Sequence, residues 1–259
     1  LVADHVVQAR IVFPGAGYLE MARAAAAEAT LQGVFFLQPL AIDSVTLLIE
    51  CAVSDGRFEV RSGVDDAALA DAAAHCSGSI GVGSWQRVDH ASVRTRSSAH
   101  AAQVSALYAS FDAGGLEYGP AYRTIVQAWA GGGDAQARLR ARVASEGTAV
   151  HPADLDDALC VGALIGRSNR GEANVQTRLP YALDDVLLQE VASGELWAVC
   201  LRAFLACSRW FHSMVLTRVC MCAQGASQQG GESISVWLGA LASPSQAQLD
   251  GFKSRVLRA

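Results

Sequence analysis

The chain has 259 residues, 51% of them hydrophobic and only 17% charged, which is material for one large domain or two packed half-domains. The net charge is -5 and Lys and Arg form no block, so nucleic-acid binding is excluded on these grounds, and apolar runs such as Val45 to Ile49 are too short to cross a bilayer. No basic leader opens the chain, and the seven scattered cysteines (Cys51, Cys76, Cys160, Cys200, Cys207, Cys220 and Cys222) fit reduced, mostly buried thiols of a cytoplasmic protein rather than a disulfide framework or a zinc site.

Gly15 to Leu31 reads as a helix, opened by Pro14 and stopped by Gly33, with an alanine-rich middle that is apolar almost all round. Strand patterns follow at Ser44 to Val53, Arg57 to Ser62, Ala72 to Val82 and Trp85 to Thr95, divided by turn signals at Ser54-Asp55-Gly56 and Gly81-Val82-Gly83. The polar stretch Thr95 to Gln103 reads as a connector. It divides the chain into residues 1–97, a connector at 98–103, and residues 104–259. The second part repeats the order of the first. Val104 to Ala113 predicts a short helix ended by Gly114-Gly115, and Tyr122 to Trp129 and Ala135 to Val143 predict strands. Asp154 to Ile165 is a second strong helix. Further strands are expected at Asp185 to Ala192, Glu195 to Ala206, Trp210 to Ala223 and Glu232 to Leu241, then a last short helix at Ser245 to Phe252. A helix followed by several strands, twice, describes an α+β chain with antiparallel sheet curled around a helix in each half.

Three segments carry candidate chemistry. The first runs Asp4-His5-Val6-Val7-Gln8-Ala9-Arg10-Ile11-Val12-Phe13-Pro14-Gly15-Ala16-Gly17. The second is Tyr118-Gly119-Pro120-Ala121-Tyr122, and the third His151-Pro152-Ala153-Asp154-Leu155-Asp156-Asp157-Ala158-Leu159-Cys160. Their order and separation resemble those of dehydratase domains of modular polyketide synthases. The first is similar to that family's His-x-x-x-Gly-x-x-x-x-Pro signature, the second to its Gly-Tyr-Gly-Pro-type motif, and the third to its His-Pro-x-x-Leu-Asp stretch with Asp-x-x-x-Gln/His. Leu107-Tyr108, Trp129 and Leu179-Pro180-Tyr181 extend the likeness along most of the chain.

The resemblance implies a double hotdog fold, with His5 from one half and Asp156 from the other meeting in one site. It implies dehydration of a 3-hydroxyacyl thioester borne on the phosphopantetheine arm of an acyl carrier protein, beside other domains of the same synthase, in a homodimer. No metal or nicotinamide cofactor is then needed. The chemistry asks for such a pair. A neutral imidazole suits abstraction of a weakly acidic α-proton, and a carboxyl kept protonated by burial can protonate a leaving hydroxide. His5 is therefore the candidate base, and Asp156 the candidate acid or anchor of the β-hydroxyl. Pro14 and Gly15 open the first helix, where the Gly15 N–H is a candidate donor to the thioester oxygen. Tyr118 and Cys160 are candidates for positioning the acid or the substrate.

The sequence departs from the family pattern at two of these places. Ala9 stands where the first motif has Gly, and Cys160 where the third has Gln or His, so Asp156 would be less firmly oriented. His5 also lies almost at the first residue, where a base would be poorly fixed. Three carboxylates near one another, Asp154, Asp156 and Asp157, would raise one another's proton affinity. Ala9 and Cys160 motivate an alternative, a catalytically silent domain kept for architecture or docking. Another alternative is a related double hotdog that shifts a double bond or shapes a cyclic product. His75 and His151 read as structural, and His90, His100 and His212 as surface or loop residues.

Overall fold

Hydrophobic alternation broken by turn residues produces an antiparallel sheet in each half, and in the computed structural model the two join edge to edge. The structure describes residues 1–26, 29–44, 46–64, 72–97, 100–131, 133–142, 144–167, 178–190, 194–202, 233–240 and 245–256. The strand expected at Trp210 to Ala223, with His212, Cys207, Cys220 and Cys222, lies outside the described residues.

In chain order the elements are β1 (Val6–Val7), β2 (Arg10–Ile11), α1 (Gly15–Ala25), β3 (Thr30–Phe36), β4 (Leu48–Ser54), β5 (Arg57–Gly63) and β6 (Ala74–Gly81). Then come α2 (His90–Ser97), β7 (Ala101–Ala102), α3 (Val104–Ala113), a 3-10 turn at Pro120–Tyr122, β8 (Ile125–Gly131) and β9 (Asp134–Leu139). The last are α4 (Pro152–Val161), α5 (Ala163–Arg167), β10 (Arg178–Leu188), β11 (Leu196–Arg202), β12 (Ile234–Gly239) and β13 (Ser245–Val256). Among the described residues eleven strands form one sheet in the order β4-β5-β6-β3-β10-β13-β12-β11-β9-β8-β7. The strands up to Gly81 make one end and those from Ala101 the other. The two meet where β3 pairs antiparallel with β10, Leu31 opposite Val186.

Each end wraps a helix. α1 rests on β3, β4, β5 and β10, and α4 on β9, β11 and β12. The two helices also touch each other, so the centre of the molecule is a helix pair between two curved sheet segments. Leu19 on α1 and Leu155 on α4 are fully buried there, each contributing roughly 1.5–3 kcal/mol by leaving water. The architecture is the α+β double hotdog that the resemblance implied.

Three local expectations are corrected. The first helix ends at Ala25, and Thr30–Phe36 is the strand that joins the halves. Gly33, read as a helix stop, has φ of 54° and sits in an irregularity of the β3–β6 pairing between Gln32 and Phe35, so it is a bulge glycine. Within Trp85 to Thr95, the residues from His90 onward are helical, because Asp89 caps α2 by accepting the Ser92 N–H through its carboxylate. Ser245 to Phe252 is strand, not helix: β13 bonds β10 on one side and β12 on the other, and that ladder overrides its weak helical pattern.

Candidate active site

His5 is held by backbone on both sides. The turn Gln8-Ala9 folds β1 back on β2, with φ of 49° and 61° at the two residues, as a two-residue hairpin of the primed type requires. On one flank the Phe13 and Ile42 N–H groups donate to the Leu40 and Ile11 carbonyls. On the other, the N–H groups of Gln8, Glu117 and Gly119 donate to Gly115, Val6 and Asp4 carbonyls. The Asp4 carboxylate accepts the Ala121 N–H at 2.7 Å. The segment carrying His5 is thus zipped onto the Tyr118-Gly119-Pro120 turn of the second half. Early position in the chain does not leave His5 loose, contrary to the expectation drawn from its place in the sequence.

The same contacts fix the imidazole. His5 Nδ1 lies 2.6 Å from the Val12 carbonyl oxygen. A carbonyl only accepts, so Nδ1 carries a proton, and in the neutral ring Nε2 presents its lone pair. Tyr118 and Tyr122 flank the ring at centroid distances of 5.5 and 5.3 Å. Nε2 faces Asp156 Oδ1 at 3.8 Å, too far for a hydrogen bond. Both residues are 5% exposed.

Asp156 lies in the second turn of α4, whose start is defined by Pro152 and by His151, the latter accepting the Ala153 N–H on Nδ1 at 3.1 Å. That accepted bond requires an unprotonated Nδ1, and burial together with the nearby Arg142 charge lowers the His151 pKa to about 4. Burial raises the Asp156 pKa; the positive charge of His5, when its ring is protonated, and a hydrogen bond from Tyr118 pull it part of the way back. Tyr118 itself is held protonated by burial and by the Asp156 charge. Its hydroxyl lies 3.5 Å from Cys160 Sγ. Burial, Asp156 and Asp157 all raise the Cys160 pKa, so it is a thiol and not a nucleophilic thiolate.

His5, Asp156, Tyr118 and Cys160 therefore come together. Pro14 and Gly15 form the uncapped N-terminus of α1, where Pro14 supplies no side-chain hydrogen bond. Gly15 is tightly overlaid: a Cβ there would stand 3.2 Å from Phe36 and 3.3 Å from Pro180. The three carboxylates of the third motif diverge instead of clustering. Asp154 pairs with Arg142 at 2.8 Å, Asp156 faces His5, and Asp157 turns to Tyr108 and Thr124. Sequence reasoning did not find Asp4 as a clamp, nor Glu20. Buried on α1, Glu20 accepts the Ala149 N–H at 2.8 Å just ahead of α4. A carboxylate among the apolar positions of α1, with Arg23 three residues on as its partner, was the available signal for Glu20. Among the described residues no group of three or more His, Cys, Asp or Glu is arranged to hold a metal ion, and no helix is long and apolar enough to cross a membrane.

Comparisons with known proteins bear on the family and the fold. Two family models match, one described as polyketide synthase dehydratase domain over residues 1–74 and one as polyketide synthase dehydratase N-terminal domain over residues 86–202. Polyketide synthase ThaG of Burkholderia thailandensis is 35% identical over 218 residues, 78% of this chain but 4% of that protein. Polyketide synthase PksN of Bacillus subtilis is 28% identical over 75% of this chain and 4% of its own length. The chain thus spans a small fraction of these curated relatives, which are far longer synthases. Among solved structures, a trans-AT polyketide synthase dehydratase domain from Brevibacillus brevis superposes with a TM-score of 0.76 at 21% identity, covering 99% of this chain and 90% of that one. The dehydratase domain of RzxB from Pseudomonas fluorescens gives 0.73 at 22%, covering 98% and 89%. The chain belongs to the dehydratase domains of polyketide synthases.

Proposed function

We propose that the domain removes water from a 3-hydroxyacyl thioester to give the trans-2-enoyl thioester, with His5 as base and Asp156 as acid. The observation that carries this reading is the facing pair, an Nε2 lone pair 3.8 Å from a buried carboxyl. His5 Nε2 takes the α-proton, and the C–H electron pair becomes the new C=C bond. Asp156 gives its proton to the β-hydroxyl as the C–O bond breaks, and water leaves. Transfer of the proton from His5 back to Asp156 restores the starting state. Charge that builds on the thioester oxygen is met by the Gly15 N–H at the uncapped start of α1, and Tyr118 holds the acid. The sequence of proton transfers asks for no metal or nicotinamide. Support also comes from relatives: forms of the CurK dehydratase with an Asp replaced by Asn and with a His replaced by Phe are named inactive mutants.

In this reading the chain works in the cytoplasm as part of a longer synthase, with its halves divided at residues 98–103. An acyl carrier protein brings the substrate on a phosphopantetheine arm, and the domain pairs with a second copy. The test is an assay with 3-hydroxyacyl-pantetheine thioesters of several lengths and both alcohol configurations, read by intact mass. Loss of one water, absent with His5→Ala, is the expected result. Folded protein that removes no water from any of them would replace this reading with a silent domain, for which Ala9 and Cys160 are the motivating residues. A double-bond shift can run on the His alone, so turnover insensitive to Asp156→Asn would favour that chemistry.

A further inference from the structure

Asp157 is a fully buried carboxylate that the proposed reaction does not use, and it is the most densely hydrogen-bonded side chain near the site. It accepts the Tyr108 hydroxyl on both oxygens at 3.0 and 2.9 Å. It also accepts the Thr124 N–H at 2.5 Å and the Thr124 hydroxyl at 2.7 Å. Tyr108 is anchored in turn, because its oxygen accepts the Ile125 N–H at 3.2 Å and the Arg123 guanidinium covers its ring at 5.5 Å from the centroid. Thr124 closes the turn that presents Tyr118 and Tyr122 to His5, and its carbonyl accepts the Arg140 N–H at 2.7 Å. Three elements meet at this carboxylate: α3 through Tyr108, the aromatic turn through Thr124, and α4 through Asp157 itself.

Neighbouring residues on an α-helix point about 100° apart. Fixing Asp157 toward Tyr108 and Thr124 therefore sets the rotation of α4 about its axis, and with it the direction of Asp156. We propose that Asp157 is a positioning residue: its bonds to Tyr108 and Thr124 hold α4 at the rotation and depth that aim Asp156 at His5, and tie that aim to the turn carrying Tyr118 and Tyr122. The anchoring is costly in isolation, since burial raises the Asp157 pKa to about 7 against the pull of its donors. Removing the carboxylate alone would leave the Thr124 N–H and the Tyr108 and Thr124 hydroxyls without this buried acceptor.

This inference rests on the His5–Asp156 reading for its kinetic part, not for its structural part. The experiment is a crystal structure and a kinetic description of Asp157→Asn, whose amide keeps one accepting oxygen and turns an NH2 toward either the Tyr108 hydroxyl or the Thr124 donors. The structure is expected to show the Asp156 carboxyl displaced by about 1 Å or more from its place 3.8 Å from His5 Nε2. Turnover of a 3-hydroxyacyl-pantetheine thioester is expected to fall in kcat by about 100-fold, the scale of an ångström misplacement, with KM changed less than about threefold. Tyr108→Phe, which removes one donor and keeps the ring, is expected to move both readouts the same way by less, and decides the matter if Asp157→Asn does not fold. An unmoved Asp156 with unchanged kcat, or a lower Tm as the only effect, overturns the proposal. If the unaltered protein turns over no thioester, the functional reading fails, and the position of Asp156 in the variant structures alone decides this one.

Discussion

The proposed base, His5, lies just ahead of a strand of two residues and the proposed acid, Asp156, on a helix of ten, and the difference runs through the contacts that hold them. Around His5 the restraints are backbone hydrogen bonds reaching across to residues 115–121 of the other half, closed by the Asp4 carboxylate. Around Asp156 they are mainly side-chain contacts within its own half: His151 at the helix start, Asp157 bound to Tyr108 and Thr124, Asp154 bound to Arg142, with Glu20 of the other half accepting the Ala149 N–H just ahead of α4. A short strand has no periodic face to bury and borrows its position from its neighbours. A helix carries its own backbone bonds and needs only to be set in place and in rotation. His5 is therefore the part of the site that depends most on docking of the two halves, and Asp156 the part that depends most on buried polar side chains.

Breaking the backbone clamp is expected to have the largest effect. In Gly119→Ala the new Cβ would stand 2.5 Å from the Asp4 carboxyl carbon and 2.9 Å from its Cβ, so the segment bearing His5 must move. Turnover is expected to drop about 100-fold, with a stability loss of about 1–3 kcal/mol from overpacking, read by steady-state kinetics and urea unfolding. Asp4→Ala frees the same clamp without a clash. It leaves the Ala121 N–H unpaired for about 1 kcal/mol and is expected to lower turnover by roughly tenfold, about 1.4 kcal/mol in barrier.

On the acid's side, His151→Asn keeps an acceptor for the α4 start while removing the titration. Since the folded-state pKa of His151 is lowered to about 4, the unfolded chain binds more protons between about pH 6.5 and 4. This contribution to stability is complete above pH 6.5 and is lost as pH falls toward 4. Asp157, raised to about 7, has the opposite sign but is common to both proteins. Urea unfolding at a series of pH values should thus show the stability difference between parent and variant shifting toward the variant as pH drops below 6.5. Ala9→Gly should have the smallest effect and is a gain. At φ of 61° alanine costs about 1–2 kcal/mol, more than the roughly 0.5–1 kcal/mol of chain entropy that glycine loses. A rise in Tm of a few degrees is expected. A fall would show that the hairpin turn is not strained in solution.

His5, Asp156, Tyr118 and Cys160 were legible because each lies in a short motif whose chemistry and spacing are local. The two-half architecture was legible in the succession of apolar helix and alternating segments. What escaped the sequence was non-local. Thr30–Phe36 continues an alanine-rich helix pattern on one side and is interrupted by Gly33 on the other, and only its pairing with β6 and β10 makes it a strand. Ser245–Val256 contains Gln246, Gln248 and Asp250, a composition that signals no buried strand, yet Gln248 is inside the sheet and bonded to Asp250 and to the Gln86 N–H. Asp4 and Asp157 read as charges beside catalytic candidates, and their roles depend on partners 117 and 33 residues away. No pattern in the chain names those partners.

The central claim is that residues from the two halves act as one acid–base unit. A double-mutant cycle on turnover of a 3-hydroxyacyl-pantetheine thioester, with His5→Ala, Asp156→Asn and the pair, tests it directly. Groups acting as a unit are strongly non-additive, so each single change should remove nearly all water loss and the double variant should be no slower than the worse single. Additive losses, or an Asp156→Asn protein that dehydrates at the parent rate, would contradict the account.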